Sequence, residues 1–497
     1  MPDLTSDLAP ARPLTRTTTR LTDGTNTLTS DTLARRVHRA AKVFTDRGIR
    51  PGDRIVVKGD NSADYVIALL ALMHLGASLV PVDHRQSAAE GQDATERSQA
   101  RWLLCESGGV DYLPAHRVLH FPDTADTNAQ EPAPRDGAGP RDGAGAVDLS
   151  AWFDREDAVV LWSSGTTGRP KGIVKSGRAV RDNTVRTIQA MGYRDDDVLA
   201  PLLPFSHQYG LSVILLWWVA GCTLAVTPYQ RLDLAAARAA RAGATAVDAA
   251  PSTYHALLGL LRRRPELRAG LSQVRVWGVG GAPLPQPLAA SFLATMKLPL
   301  LDGYGLSELG NVALATPDSP RGCGRPLPGI DLRIVGTNGQ PLPPGATGEI
   351  QVRSPGLMEG YLGADATVLP VERDAWYPTA DLGRMDADGT VHVIGRNQAV
   401  HRLGFTLYPE GLARKAEGCG QQVEVLAVDD ARRGCTLHFV IEDPTGGEPR
   451  HWRSLIAPHL AEYEQPNVVH VVQHLPLSAN GKVDTGALRR LLDIPAR

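Results

Sequence analysis

The chain has 497 residues, 42% of them apolar and 21% charged, with a formal net charge of −2 at pH 7. That balance belongs to a soluble globular protein with room for roughly two to four domain-sized units, and it leaves no basic footprint for nucleic acid. The five cysteines are odd in number and widely spaced, the histidines form no metal-ligand spacing, and no apolar run is long enough to cross a bilayer. A reduced, cytoplasmic protein with no structural zinc and no membrane span is therefore expected.

Residues 28–48 carry Leu33, Val37, Ala40, Ala41 and Phe44 at helical spacing, with Gly48 placed to end the helix. A strand over 54–57 follows, then a helix over 61–75 capped at Asn61 or Ser62 and stopped at Gly76, then a strand over 77–81. Strands alternating with helices predict an α/β domain with parallel, doubly wound sheets. The rhythm breaks over 106–149. There Arg135-Asp136-Gly137-Ala138-Gly139 repeats as Arg141-Asp142-Gly143-Ala144-Gly145, each copy behind a proline. Such a stretch cannot bury enough apolar surface to order itself, so about 130–147 are expected to form a disordered surface insertion without a function.

The apolar run Ala158-Val159-Val160-Leu161-Trp162 has the length of a buried strand. It feeds Ser163-Ser164-Gly165-Thr166-Thr167-Gly168-Arg169-Pro170-Lys171-Gly172. Glycines allow tight turns that bring backbone N–H groups to an anion. The hydroxyls and the Lys171 ammonium add donors suited to phosphate. The expectation is a loop that grips a polyphosphate. It is not a Walker loop, since no Gly-Lys-Ser/Thr stands at the required spacing. A flexible surface loop is the bland alternative, but few of those are fed by an apolar strand and closed by Pro-Lys-Gly.

Pro204-Phe205-Ser206-His207-Gln208-Tyr209-Gly210 precedes an apolar helix whose Trp217 and Trp218 are expected in the core. A proline-bounded turn carrying Phe, His and Tyr suits the wall of a pocket for an organic group, although a lone histidine is more often structural. A strand from Val274 runs into Gly280-Gly281-Ala282-Pro283, where small residues let a flat ring approach the backbone. In Leu301-Asp302-Gly303-Tyr304-Gly305-Leu306-Ser307-Glu308, Tyr304 can stack on a purine, Ser307 can touch phosphate, and Glu308 can hold Mg2+ together with phosphate oxygens. Short strands and turns from 324 to 394 predict a small antiparallel barrel or sheet. Within it, Thr379-Ala380-Asp381 offers a carboxylate to a ribose diol. Beyond Gly395-Arg396, strands and helix alternate again at 423–428, 436–441, 456–462 and 468–472. Near the end, Asn480-Gly481 predicts a hairpin tip that presents Lys482, which taken alone would be solvated surface.

Ser-Ser-Gly-Thr-Thr-Gly-x-Pro-Lys-Gly resembles the phosphate loop of the adenylate-forming superfamily: acyl- and aryl-CoA ligases, luciferases and the adenylation domains of peptide synthetases. Tyr304-Gly305-x-Ser307-Glu308, Thr379-Ala380-Asp381 and Leu477-Ser478-x-Asn480-Gly481-Lys482-Val483-Asp484 are similar to later motifs of that superfamily, in the same order, so the resemblance covers 28–490. It implies an N-terminal AMP-binding domain over 1–395, with its barrel-like part at about 324–394, and a small mobile α+β C-terminal domain over 396–497. It also implies ATP with Mg2+, activation of a carboxylic acid to an acyl-adenylate with release of pyrophosphate, and acyl transfer to a thiol. That thiol is CoA or the phosphopantetheine of a separate acyl or peptidyl carrier protein. By resemblance, Ser163, Ser164, Gly165, Thr166, Thr167, Gly168 and Lys171 hold phosphates, while Gly281, Ala282, Asp302, Tyr304, Gly305 and Ser307 line the nucleotide, with Tyr304 over adenine. Asp381 and Arg396 fix the ribose, Glu308 carries Mg2+, and Lys482 bridges the carboxylate and the α-phosphate. His207 gates an acid pocket shared with Gln208, Gly280 and Gly305, and counts with Lys482 and Glu308 among the catalytic residues. His401 and Gly404 lie on the face that serves the thiol step.

The chain departs from the family pattern at Ala380, which replaces the glycine of Thr-Gly-Asp, and at the junction 395–404. That junction is shortened and lacks the acidic pair that usually follows Gly-Arg. It keeps open an enzyme of one half-reaction, adenylation only or thioester formation only. Gln208 stands where domains for α-amino acids place an aspartate for the ammonium, and a buried ammonium without that partner is costly. The expected substrate is therefore an aryl or otherwise compact acid of secondary metabolism, with a fatty acid or β-amino acid as the alternative. A catalytically silent adenylate-binding protein is the reading of a different class, and the intact Lys171, Glu308, Asp381 and Lys482 speak against it. A monomer or homodimer is expected.

Overall fold

The computed structural model describes residues 19–106, 110, 112–121, 146–163, 170–282, 284, 286–336, 338–395, 400–407, 409–476 and 483–495. The expected insertion at about 130–147 lies outside these residues except at its last two positions, where Val147 is already buried in the core.

The first expected helix forms at Ser30–Asp46, capped by Thr29, and its buried residues are Leu33, Val37, Ala40, Ala41 and Phe44. Ser62 caps the helix Ala63–His74, which is buried along nearly its whole length. The helix Gln208–Ala220 is buried in the same way. A helix apolar on all sides needs cover on all sides. One continuous apolar cluster supplies it, joining both helices to Ile55, Leu79 and Leu161 in one sheet and to Leu199, Val276 and Tyr304 in another.

In the first sheet, of eight strands, Val159–Ser163, Ser78–Asp83, Arg54–Gly59, Trp102–Cys105 and Val118–His120 are parallel neighbours. Lys171–Lys175 returns antiparallel to Val159–Ser163, setting Ser163 opposite Lys171. In the second sheet, of nine strands, Leu301–Leu306, Val276–Gly280, Ala246–Ala249 and Val198–Pro201 run parallel. Their register sets Asp248 beside Gly278, and Gly280 beside Gly303. The doubly wound expectation holds, and a four-stranded antiparallel sheet of Asp331–Val335, Gly348–Arg353, Tyr377–Met385 and Val391–Gly395 follows it.

Residues 400–494 bury two apolar clusters of their own, one around Phe405, Leu437, Phe439 and Trp452 and one around Leu426, Leu488 and Ile494. Here the expected alternation is corrected. Val423–Asp430 and Gly434–Glu442 pair directly as an antiparallel hairpin, and Val468–Val472 joins the second strand in parallel. The helix expected over 456–462 forms at Pro449–Ile456 instead, burying Trp452 and Ile456 one turn apart. Pro449 suits the first turn of a helix, and a 3-10 turn at Ala457–His459, with Pro458, ends it. Among the described residues no helix is long and apolar enough to cross a membrane.

Candidate active site

A cavity of about 350 Å3 opens at the carboxyl ends of the parallel strands, where open α/β sheets place ligands. Its lining gathers most of the residues singled out in the sequence: Ser163, His207, Gln208, Gly280, Gly281, Ala282, Asp302, Tyr304, Gly305, Ser307, Glu308, Asp381, His401 and Gly404. Lys171 is not among them. Its Nζ lies 5.1 Å from the centre of the Tyr361 ring, and the Tyr361 hydroxyl donates to Glu308 Oε1 at 3.2 Å, so the cation stands one residue away from Glu308. Ser164, Gly165, Thr166, Thr167, Gly168, Arg396 and Lys482 lie outside the described residues.

One end of the cavity is organised by Asp381. Tyr304 donates its hydroxyl to Asp381 Oδ2 at 2.8 Å. The Asp381 N–H donates to Thr379 Oγ1 at 3.1 Å, and that hydroxyl donates to the Ile350 carbonyl at 2.8 Å. Between them, Ala380 holds φ at 58°. Nearby, burial pushes the Asp302 carboxyl up to about 7, opposed by the Cys323 thiol at 3.4 Å.

His207 occupies the N-cap position of Gln208–Ala220 but makes no capping bond, which leaves its imidazole to the cavity. The ring packs edge-on against Phe405, centroids 5.1 Å apart. Burial lowers its pKa, opposed by Asp83 and reinforced by Arg85, so the imidazole is neutral at pH 7. Gln208 also borders a water-sized cavity of about 10 Å3 with Lys175, Asn183 and Ser212.

The roof is the hairpin of Val400–Arg402 and Phe405–Leu407. Leu403 and Gly404 at its tip both have positive φ, 51° and 85°, the signature of a two-residue turn matched to strand twist. The tip seats against the sheet: a Cβ on Gly404 would stand 3.0 Å from Ala250 Cβ, and a Cβ on Gly281 would stand 3.9 Å from the Gly404 carbonyl oxygen. Behind the tip, Phe405 stacks on Tyr463 at 3.8 Å, and the Arg85 guanidinium lies 4.7 Å and 5.3 Å from the two ring centres. Burial pushes the Asp83 carboxyl up, but Arg85, bonded to both its oxygens at 2.9 Å, holds it below the usual range. Lys415 completes the contact, donating to Glu90 at 2.7 Å and to the Glu464 oxygens at 2.9 and 3.0 Å. With two carboxylates sharing one ammonium, Lys415 is held charged against burial, while burial raises Glu464 despite Lys415.

Sequence reasoning missed this contact and missed Asp248. The contact joins Glu90 to a lysine 325 positions away, and no local pattern announces that. Asp248 lies 5% exposed on the cavity lining, its Oδ1 accepting from the Tyr209 hydroxyl at 2.8 Å. Its Oδ2 has no hydrogen-bond partner among the described residues. Burial pushes this carboxyl up to about 6, opposed by Tyr209. The signal in the sequence was an acid inside the apolar run Ala246-Val247-Asp248-Ala249-Ala250.

A model of the AMP-binding enzyme family matches residues 10–362. Feruloyl-CoA synthase of Amycolatopsis sp is 30% identical over 495 residues, 95% of this chain and 95% of its own. The fatty acid–[acyl-carrier-protein] ligase ScoC of Streptomyces coeruleorubidus is 28% identical, covering 93% of this chain and 91% of its own. The amide bond synthetase McbA from Marinactinospora thermotolerans superposes with a TM-score of 0.81 at 25% identity, over 95% of this chain and 97% of its own.

Proposed function

We propose how the cavity works from the premise that the chain belongs to the AMP-binding enzyme family. It is a ligase that activates a carboxylic acid with ATP and passes the acyl group to a thiol. One observation carries the assignment of residues. A single cavity joins Tyr304, Asp381 and Glu308 at one end to His207, Gln208 and Gly280 at the other, under a roof that bears His401 and Gly404.

In this reading Asp381, already fixed by Tyr304 and Thr379, accepts from the ribose diol, and Tyr304 covers adenine. Lys171 and the 163–168 segment bind the β- and γ-phosphates. Ser307 touches phosphate, and Glu308 supplies hard oxygens of the type Mg2+ prefers, so that a bound ion would neutralise phosphate charge. An oxygen of the substrate carboxylate attacks the α-phosphorus. A C–O–P linkage forms as the bond to the β-phosphate oxygen breaks, and pyrophosphate leaves with that electron pair. Catalysis here is positioning and charge stabilisation, so no protein nucleophile is needed. In the second step the thiol sulfur attacks the acyl carbon, the bond from acyl carbon to AMP oxygen breaks, and the thiol proton passes to solvent. The roof hairpin faces the cavity, as a wall for the incoming thiol would. CoA is the acceptor, with a carrier-protein phosphopantetheine as the alternative. Residues 396–497 then act as a mobile domain, in a cytoplasmic monomer or homodimer.

An aryl or compact acid fits this cavity better than a long alkyl chain, because a buried carboxylate, Asp248, lies on its lining and an alkyl tail would leave it unsolvated. The test is ATP–pyrophosphate exchange together with thioester formation, in wild type and Lys482→Ala. Removal of one preorganised charge donor costs on the order of 10² to 10³ in rate. Lys482→Ala is expected to lose adenylate formation by that factor while transferring from presynthesised acyl-adenylate to CoA near the wild-type rate. Equal slowing of both steps contradicts the role given to Lys482, and absence of exchange with every acid tried contradicts the activity.

A further inference from the structure

Asp248 sits deeper than the glycines that border the reacting groups. Its strand neighbour is Gly278, two residues and so roughly 7 Å of strand below Gly280. The absence of a side chain at Gly278 is what makes room for it: a Cβ there would stand 2.3 Å from Asp248 Oδ1 and 3.4 Å from the Tyr209 hydroxyl. The Asp248 carboxyl thus takes the space that a side chain at Gly278 would fill, on the lining of the cavity. One oxygen is served by Tyr209, the other by nothing among the described residues. Rotation about the Cβ–Cγ bond exchanges the two oxygens, so either can turn toward the cavity. Buried acceptors are normally satisfied, and one left open on the lining of a substrate cavity is a place for a ligand's donor.

We propose that Asp248, oriented by Tyr209, binds a hydrogen-bond donor carried by the acid substrate at the end opposite its carboxylate, so that the substrate is a compact acid with a distal hydroxyl or amino group. The inference rests on the acid-activating reading of the cavity. It also divides the amines. Gln208 offers no charge to an ammonium beside the substrate carboxylate, whereas Asp248 offers one to an ammonium at the far end. A donor-lacking analogue leaves the carboxylate desolvated and unpaired, which is the circumstance in which a site discriminates strongly.

The experiment titrates benzoate, 4-hydroxybenzoate and 4-(aminomethyl)benzoate, and the corresponding cinnamates, into wild type, Asp248→Asn and Asp248→Ala by calorimetry. ATP–pyrophosphate exchange is run on the same acids. ATP binding by each variant reports an intact fold, and Asp248→Asn, being isosteric, covers the case in which Asp248→Ala does not fold. Wild type is expected to favour the donor-bearing acids over the unsubstituted ones by about tenfold or more, and both variants to bring that ratio within about threefold. Hydroxyl and amino sources separate in Asp248→Asn, which loses more affinity for the cationic probe. Binding of none of these acids, equal binding of all by wild type, or an unchanged preference in both variants overturns the inference. An Asp248-dependent preference in binding without any exchange upholds it and refutes the adenylating activity. Exchange with no donor preference does the reverse.

Discussion

The two ends of the cavity are built on different principles. At the end proposed for the nucleotide the lining groups come from short contiguous stretches: Tyr304, Gly305, Ser307 and Glu308 within one strand and its following turn, and Thr379 to Asp381 within another strand. At the end proposed for the acid, Asp248 and Gly278 come from two neighbouring strands and His207 with Tyr209 from the start of helix Gln208–Ala220, so three elements far apart in sequence must pack together. The nucleotide is the same for every acid, so its site can be a local motif that folds with its strand. The acid end has to vary, and a sheet floor allows one side chain to change without disturbing a motif.

That contrast is broken most severely at Gly305. The register shifts between Tyr304 and Gly305, and a Cβ on Gly305 would stand 2.7 Å from the Gly310 carbonyl oxygen and 3.2 Å from Asn311 Cα. Backbone cannot yield as a flexible side chain can. Gly305→Ala is expected to displace Tyr304 and Glu308 and to lower exchange with every acid by roughly 10²-fold, the cost of an ångström-scale misplacement. A change at the floor should re-rank acids instead. If Gly305→Ala changes the ranking while preserving the best rate, the division between the two ends is wrong.

A smaller effect is expected at Lys415, which ties residues 400–494 to Glu90 on the helix Ala88–Ser98. Lys415→Met would leave Glu90 and Glu464 facing each other without their shared cation. Breaking a fully buried pair costs about 3–5 kcal/mol, and the 21% exposure of the Lys415 side chain reduces that. The roof should then dwell less in the position seen here. Acyl transfer to CoA is expected to slow about tenfold, with pyrophosphate exchange within threefold of wild type. Exchange that slows as much as transfer would show that the contact supports both steps.

The same contrast sets what was legible in the sequence. Helix Ser30–Asp46, strands Asp331–Val335, Gly348–Arg353 and Val468–Val472, and the nucleotide-end residues could be read because periodicity and short motifs are local. Lys415 with Glu464, Arg85 beside the stacked Phe405 and Tyr463, and Asp248 on the cavity lining could not, since each depends on tertiary packing that brings distant residues together. The misplaced C-terminal helix is a local error of another kind. The expected span is 456–462, whereas the helix opens at Pro449 and ends at Ile456.

The floor should also be visible in stability, through pH. Burial raises Asp248 from 3.8 to about 6. Between those values the folded chain holds a proton that the unfolded chain has released, so this group's contribution is favourable at low pH and is lost as pH rises through 6. The groups facing it are Tyr209, Tyr254 and Tyr193, and the nearby Arg275 is bound to Asp197. None offers a compensating cation. Asp248→Asn is therefore expected to gain stability relative to wild type, by about 1 kcal/mol more at pH 8 than at pH 5. Denaturant unfolding at the two pH values checks this. A constant difference would mean that the carboxyl is not desolvated in the folded state.

The smallest expected effect lies at the nucleotide end, where the chain departs from the family motif. Ala380 stands between Thr379 and Asp381 with φ at 58°. That region costs a residue with a Cβ roughly 1–2 kcal/mol, which glycine avoids. Glycine also loosens the unfolded chain, at about 0.4–1 kcal/mol. The difference favours Ala380→Gly by about 0.5 kcal/mol, seen as a small rise in melting temperature. Ala380 is exposed, while Thr379 and Asp381 on either side are buried and bonded to Ile350 and Tyr304, so the strain is held by the neighbours' hydrogen bonds. Relieving it should leave Asp381 in place and the KM for ATP within about twofold. A fall in melting temperature would show that the methyl group packs favourably. A large rise in KM would show that the strain itself aims Asp381 at the nucleotide, making even this motif dependent on its surroundings.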